Sequence, residues 1–97
     1  MKFILTDHLK SRLKLRGISE KTVDSIFKKA EEFYWDNLRQ HHIVISKVIY
    51  KDKLRKMLVA YDTIGDEIEV ITTHPITDVE IKQRLISGRW IYEKKQD

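Results

Sequence analysis

The 97-residue chain has no cysteine, one proline and three glycines. Without cysteine there is no disulfide framework, no thiolate zinc site and no cysteine nucleophile. Gly17, Gly65 and Gly88 each fall where an element should end, so none belongs to a glycine-rich phosphate cradle. Nucleotide chemistry of the P-loop or Rossmann kind is thereby excluded, and there is no G-x-S-x-G nucleophile elbow. No apolar run approaches the ~20 residues of a membrane-spanning helix. The opening Met-Lys-Phe-Ile-Leu starts like a signal peptide, but Asp7 and His8 end its apolar stretch too early. The expectation is a cytoplasmic protein that does not partner a membrane. The histidines (His8, His41, His42 and His74) form no H-x-x-x-H pair. Two adjacent histidines in a strand point to opposite faces, so neither a metal nor another cofactor is expected.

What the chain does have is charge, unevenly spread. Nineteen Lys and Arg against fifteen Asp and Glu give a formal net charge of +4. Lys10, Arg12, Lys14 and Arg16 oppose Asp7 alone in one basic block. Lys47, Lys51, Lys53, Arg55 and Lys56 oppose Asp52 alone in a second. From Asp62 to Glu80 there are six acids and no Lys or Arg. Basic faces on a small domain suit a phosphate backbone, which makes RNA a candidate partner.

Hydrophobic spacing sets the elements. Lys2 to Leu5 reads as a short edge strand. Thr6 can cap a helix whose Leu5, Leu9 and Leu13 share a stripe, closed by Gly17. Ser19 starts a second helix with Val23, Ile26, Phe27 and Ala30 on its core face. Strands follow at Phe33 to Asp36, His42 to Tyr50, Leu54 to Tyr61 and Glu67 to His74, with tight turns between the last three. Thr77 can cap a last helix with Val79, Leu85 and Ile86 on its apolar face, and Arg89 to Glu93 trails as a further strand. The expected fold is α+β in one domain over 1–97. An N-terminal helical hairpin packs on one face of a three- to four-stranded antiparallel sheet, and a C-terminal helix follows.

Two constellations permit chemistry. His8, Arg12 and Arg16 follow i, i+4, i+8 and form one polar line on the first helix. Thr72 and His74 share one face at the end of a long strand, with Thr73 on the other. With Lys47, Lys53, Arg55 and Lys56 from the middle strands, such a set can hold a phosphodiester and move protons without a metal.

The stretch from His8 to Ser19 resembles a pattern written H-x-x-x-R-x-x-x-R-G-I-S, and Val70-Ile71-Thr72 resembles a V-I-T motif that follows it in a family of small prokaryotic proteins related to the RelE/ParE toxin superfamily. The resemblance covers roughly residues 6–75 and leaves the tail from Pro75 to Asp97 unmatched. It implies a RelE-like fold and a toxin held in check by a small acidic antitoxin protein. Many relatives are metal-independent endoribonucleases that use the RNA 2′-OH as nucleophile, whereas some poison DNA gyrase. His8, Arg12 and Arg16 match the helix motif and Thr72 the strand motif. With His74, chosen on charge and face, the catalytic candidates are His8, Arg12, Thr72 and His74. The RNA-binding candidates are Arg16, Lys47, Lys53, Arg55 and Lys56. Arg89 and Tyr92 stand near the C-terminus, where better-known relatives often keep a basic or tyrosine side chain, but their surroundings do not match. The alternative is a non-catalytic module that binds nucleic acid or protein, and a homodimer through a sheet edge is compatible with the pattern.

Overall fold

Each helix begins on a side chain that accepts a backbone N–H. Thr6 caps α1 (Asp7–Arg16), Ser19 caps α2 (Glu20–Lys28), and Thr77 caps α3 (Asp78–Ile86) with Glu80 in a reciprocal capping box. Gly17 ends α1 at φ 69, a left-handed conformation that glycine adopts without steric cost. The strands are β1 (Lys2–Ile4) before α1, then β2 (Glu32–Asp36), β3 (His41–Tyr50), β4 (Lys53–Ile64) and β5 (Glu67–Pro75) between α2 and α3, and β6 (Trp90–Tyr92) after α3. The structure, a computed structural model, describes residues 2–94.

The sheet corrects the expected one. It has six strands in the order β1-β5-β4-β3-β2-β6 and is mixed rather than antiparallel, because β1 runs parallel to β5. A strand precedes the helices, so the helical pair is not the N-terminal unit of the fold. β1 and β6 carry three residues each, too few for alternation to announce what they pair with. β1 docks on β5, and β6 returns to the far edge beside β2.

That return route covers the second face. To pass from β5 to β6 the chain must cross β4, β3 and β2, and α3 makes this crossing. Two cores result, where helices on a single face were expected. Leu9 and Leu13 of α1 with Val23 and Ile26 of α2 pack on Val44, Val48, Met57, Val59 and Val70. On the opposite face Ile81 and Leu85 of α3, with Ile76, pack on Ile43, Ile45, Leu58 and Ala60. The apolar face of α3 also differs from the expected one. Ile81 is its buried residue, whereas Val79 and Ile86 are exposed. Of the expected residues only Leu85 joins the core, four positions after Ile81 and therefore on the same side of the helix.

Candidate functional site

A cleft of about 260 Å³ opens on the α3 side of the sheet. Its floor is apolar, made by Ile43 of β3, Leu58 and Ala60 of β4 and Ile71 of β5. Its walls are polar and mostly basic. Thr72 and His74 come from β5, Arg84 from α3, Arg89 from the residue before β6, Arg39 from the β2–β3 turn and His41 from the start of β3. Among the described residues Asp36 is the one acid lining it.

The strand register explains the two β5 residues. Ala60 faces Thr72 and Leu58 faces His74, while a bulge between Ala60 and Tyr61 leaves Ile71 unpaired against β4. Ile71, Thr72 and His74 thus all line the cleft, and Thr73 lies fully buried under the other core. A bulge re-aims side chains in this way.

Asp36 organises the basic wall. Its carboxylate accepts from the Leu38 and Arg39 N–H groups at 2.9 and 3.0 Å, which sets the turn carrying Arg39. It also takes Arg89 Nε at 3.2 Å and Nη2 at 3.0 Å. Burial pushes the carboxyl up, but the Arg89 and Arg39 contacts and the nearby Trp90 indole outweigh that and hold it below the usual carboxylate value. Trp90 Nε1–H stays near this carboxylate without closing a hydrogen bond of good geometry. Arg84 lies over the Trp90 ring, 5.3 Å from its centroid. Among the described residues neither Arg39 nor Arg84 has a carboxylate partner. The cleft therefore carries two guanidinium groups outside any direct ion pair, Arg84 half-buried and Arg39 exposed at the mouth, above an apolar floor, which favours an anion.

Both histidines of the cleft are held through Nδ1. That atom of His74 lies 2.8 Å from the Pro75 carbonyl oxygen, to which it can only donate. In the neutral ring Nε2 is then the acceptor. His41 Nδ1 lies 2.8 Å from Asp62 Oδ1. Its neighbour His42 faces the other side, with Nδ1 2.7 Å from Glu93 and its ring stacked on Tyr61.

The nine residues singled out from the sequence separate into four places. Arg16 and Thr72 meet: Arg16 Nη1 donates to Thr72 Oγ1 at 3.4 Å and to the Thr73 carbonyl at 3.0 Å, over the stretch of β5 that lies beyond β1. Arg16 thus stands at the rim of the cleft that Thr72 and His74 line. His8 and Arg12 are exposed on α1 and do not line the cleft. Their Cα atoms trail Arg16 along the helix axis by about 12 and 6 Å. Lys47, Arg55 and Lys56 line a separate groove of about 610 Å³ between the β3–β4 hairpin and the start of α3. There Lys56 is fixed between Asp78 and Glu32, at 2.8 Å from each, and these partners push its pKa up. Arg55 Nε donates to the Tyr50 carbonyl. Lys53 stands exposed at the hairpin tip, opposite Tyr50.

Sequence reasoning missed Arg39, His41, Arg84 and Arg89 as one group. His41 carries a signal, since a histidine beside His42 in a strand has its face set by alternation. Arg89 carries one too, as a basic side chain near the C-terminus, whereas Arg39 and Arg84 carry none, because the fold alone brings them to the cleft. Among the described residues no cluster of three or more His, Asp or Glu side chains is arranged to hold a metal ion. Among the described residues no helix is long and apolar enough to cross a membrane. No family model matches the chain, and no curated protein or solved structure was found similar to it.

Proposed function

We propose that the protein is a metal-independent endoribonuclease of the toxin type, which binds single-stranded RNA in the cleft beneath α3. One observation carries the reading: two histidines, Thr72 and three arginines from five separate elements line a single 260 Å³ space. Two imidazoles and a cationic wall are what transesterification of an RNA phosphodiester needs. His74 Nε2, left with its lone pair by the Nδ1 contact to Pro75, takes the proton of the 2′-OH. The 2′-oxygen attacks phosphorus, Arg84 and Arg39 stabilise the charge that builds on the phosphoryl oxygens, and the P–O5′ bond breaks. His41, in its doubly protonated form and oriented by the Nδ1–H contact to Asp62, gives its Nε2 proton to the departing 5′-oxygen. The products are a 2′,3′-cyclic phosphate and a 5′-hydroxyl. Arg16 extends the basic wall past Thr72, and Arg12 and His8 continue it along α1 as a track for the flanking strand.

The motif from His8 to Ser19 supports the same reading, since it resembles that of a family related to RelE/ParE toxins. It adds a cytoplasmic setting and a small acidic antitoxin, encoded next to the gene, as partner. A non-catalytic binding module is the second reading, favoured by the position of Lys47 and Lys53 outside the cleft.

Purified protein incubated with single-stranded RNA in EDTA distinguishes the two. The expected result is cleavage to cyclic-phosphate ends, a fall of about a hundredfold or more in His74→Ala, and no cutting when a 2′-deoxynucleotide replaces the scissile one. Intact RNA bound with ordinary affinity selects the binding module, and equal cutting of the deoxy substrate overturns the 2′-OH mechanism.

A further inference from the structure

One side of β3 is only half covered. It pairs with β4 from His42 to Tyr50, but on its other side β2 stops at the Glu32–Ile45 pair. Glu31 N–H donates to the Ile45 carbonyl at 3.0 Å where the chain enters β2. That bond fixes which peptide groups point outward. In an antiparallel ladder a residue's N–H and C=O face the same neighbour, and successive residues alternate. Ile45 faces β2, so Lys47 and Ile49 face the same side, past the end of β2. The hairpin agrees, because Tyr50 and Lys53 flank its two-residue loop and pair directly. Lys47 and Ile49 therefore present two donors and two acceptors along an open edge.

Beside this edge runs a groove of about 300 Å³ that α2 forms with β3. Lys21, Lys29 and Lys47 line it together with the hydroxyls of Thr22 and Ser25, and no carboxylate is among its described lining residues. Ile49 and Leu54, which also line it, are 66% and 63% exposed. The edge is thus at once unpaired, basic and apolar. We infer that it docks an extended acidic segment of another protein, with aliphatic residues at alternate positions, as a strand added beside β3 and in line with β2.

The alternatives fit less well. A second copy of this chain would bring together two edges that each carry Lys21, Lys29 and Lys47, with no carboxylate from either described lining between them, and lysine is the residue that keeps edge strands apart. An RNA strand offers phosphate acceptors to the two N–H groups but leaves both carbonyls without donors from its backbone phosphates. Among its described lining residues the groove also holds no aromatic ring on which a base could stack. The inference does not rest on the nuclease reading, since the edge shares no residue with the cleft.

The test uses the full chain and three probes: a capped octapeptide of alternating Glu and Val, its Lys-Val counterpart, and an eight-nucleotide oligouridine. The Glu-Val peptide should slow hydrogen exchange of the Lys47 and Ile49 amides selectively. Ile49→Pro removes an outward N–H without touching the β4 ladder and should weaken the peptide at least tenfold. The double change Lys21→Glu and Lys47→Glu should do the same without a backbone effect, so the test survives if the proline variant fails to fold. Absence of peptide protection, protection on the β1 or β6 edge instead, equal binding of the Lys-Val peptide, or tighter binding of oligouridine at this edge would each overturn the inference.

Discussion

At the scale of single residues, Asp36 has the largest structural role in the site without being part of its proposed chemistry. It is 3% exposed, and it holds both the turn that bears Arg39 and the guanidinium of Arg89. Asp36→Asn keeps an oxygen for the two turn N–H groups but leaves Arg89 facing no negative charge. Because Arg89 retains some solvent contact, the expected cost is about 2 kcal/mol, below that of a fully buried pair. The pH dependence has a definite sign. The folded carboxyl lies below its unfolded value of 3.8, so its stabilisation is complete above that value and fades as pH falls through the folded one. Urea unfolding at pH 7 should separate the two proteins, and the gap should close well below pH 3.8; an equal gap at both pH values would show that charge is not the cause. Asp36 was read from the sequence only as the end of a strand. The turn contact is local and of the kind an aspartate makes, but the pairing with Arg89, 53 residues away, depends on a chain path whose geometry no spacing encodes.

At the scale of elements, legibility tracked local chemistry. Thr6, Ser19 and Thr77 cap their helices as their residue types indicate, and Gly17 and Gly65 take the positive φ their positions call for. These signals are complete within four residues of chain. The apolar face of α3 departs from the expected one because its short sequence offers two competing stripes, and only the crossing over the sheet decides between them. The β3–β4 turn adds a case that runs against residue type. Lys51 and Asp52 form its two-residue loop at φ 52 and 62, the mirror-image turn that normally takes Asn-Gly. Replacing Lys51-Asp52 by Asn-Gly removes strain at both positions and should raise stability by about 1 kcal/mol. The gain should appear in unfolding midpoints without a change in denaturant slope; a loss would mean that the side chains at the tip hold the hairpin by contacts stronger than the strain.

At the scale of the molecule, the two basic blocks seen in the sequence do not make one surface. The first reaches the cleft only through Arg16, and the second lies with Lys47, Arg55 and Lys56 in other grooves, where Glu32 and Asp78 already occupy Lys56. The cations that converge come from the turn after β2, from α3 and from the residue before β6, and none of them belongs to either block. Half of the site was therefore legible, namely Thr72 and His74 by strand alternation and Arg16 by helical spacing. The other half depends on the path of α3, which is a property of the whole sheet. Counterion release turns this division into a measurement. Each RNA phosphate neutralised contributes about 0.7 to the slope of log affinity against log salt. If Arg39, Arg84 and Arg16 each meet a phosphate, the slope for a short single strand is about −2. Arg84→Ala should flatten it by about 0.7 and weaken binding at every salt concentration, whereas Lys53→Ala at the hairpin tip should leave the slope unchanged. The reverse pattern, with Lys53 lowering the slope and Arg84 not, would move the RNA off the cleft and onto the hairpin, and the two histidines would then have no phosphodiester to act on.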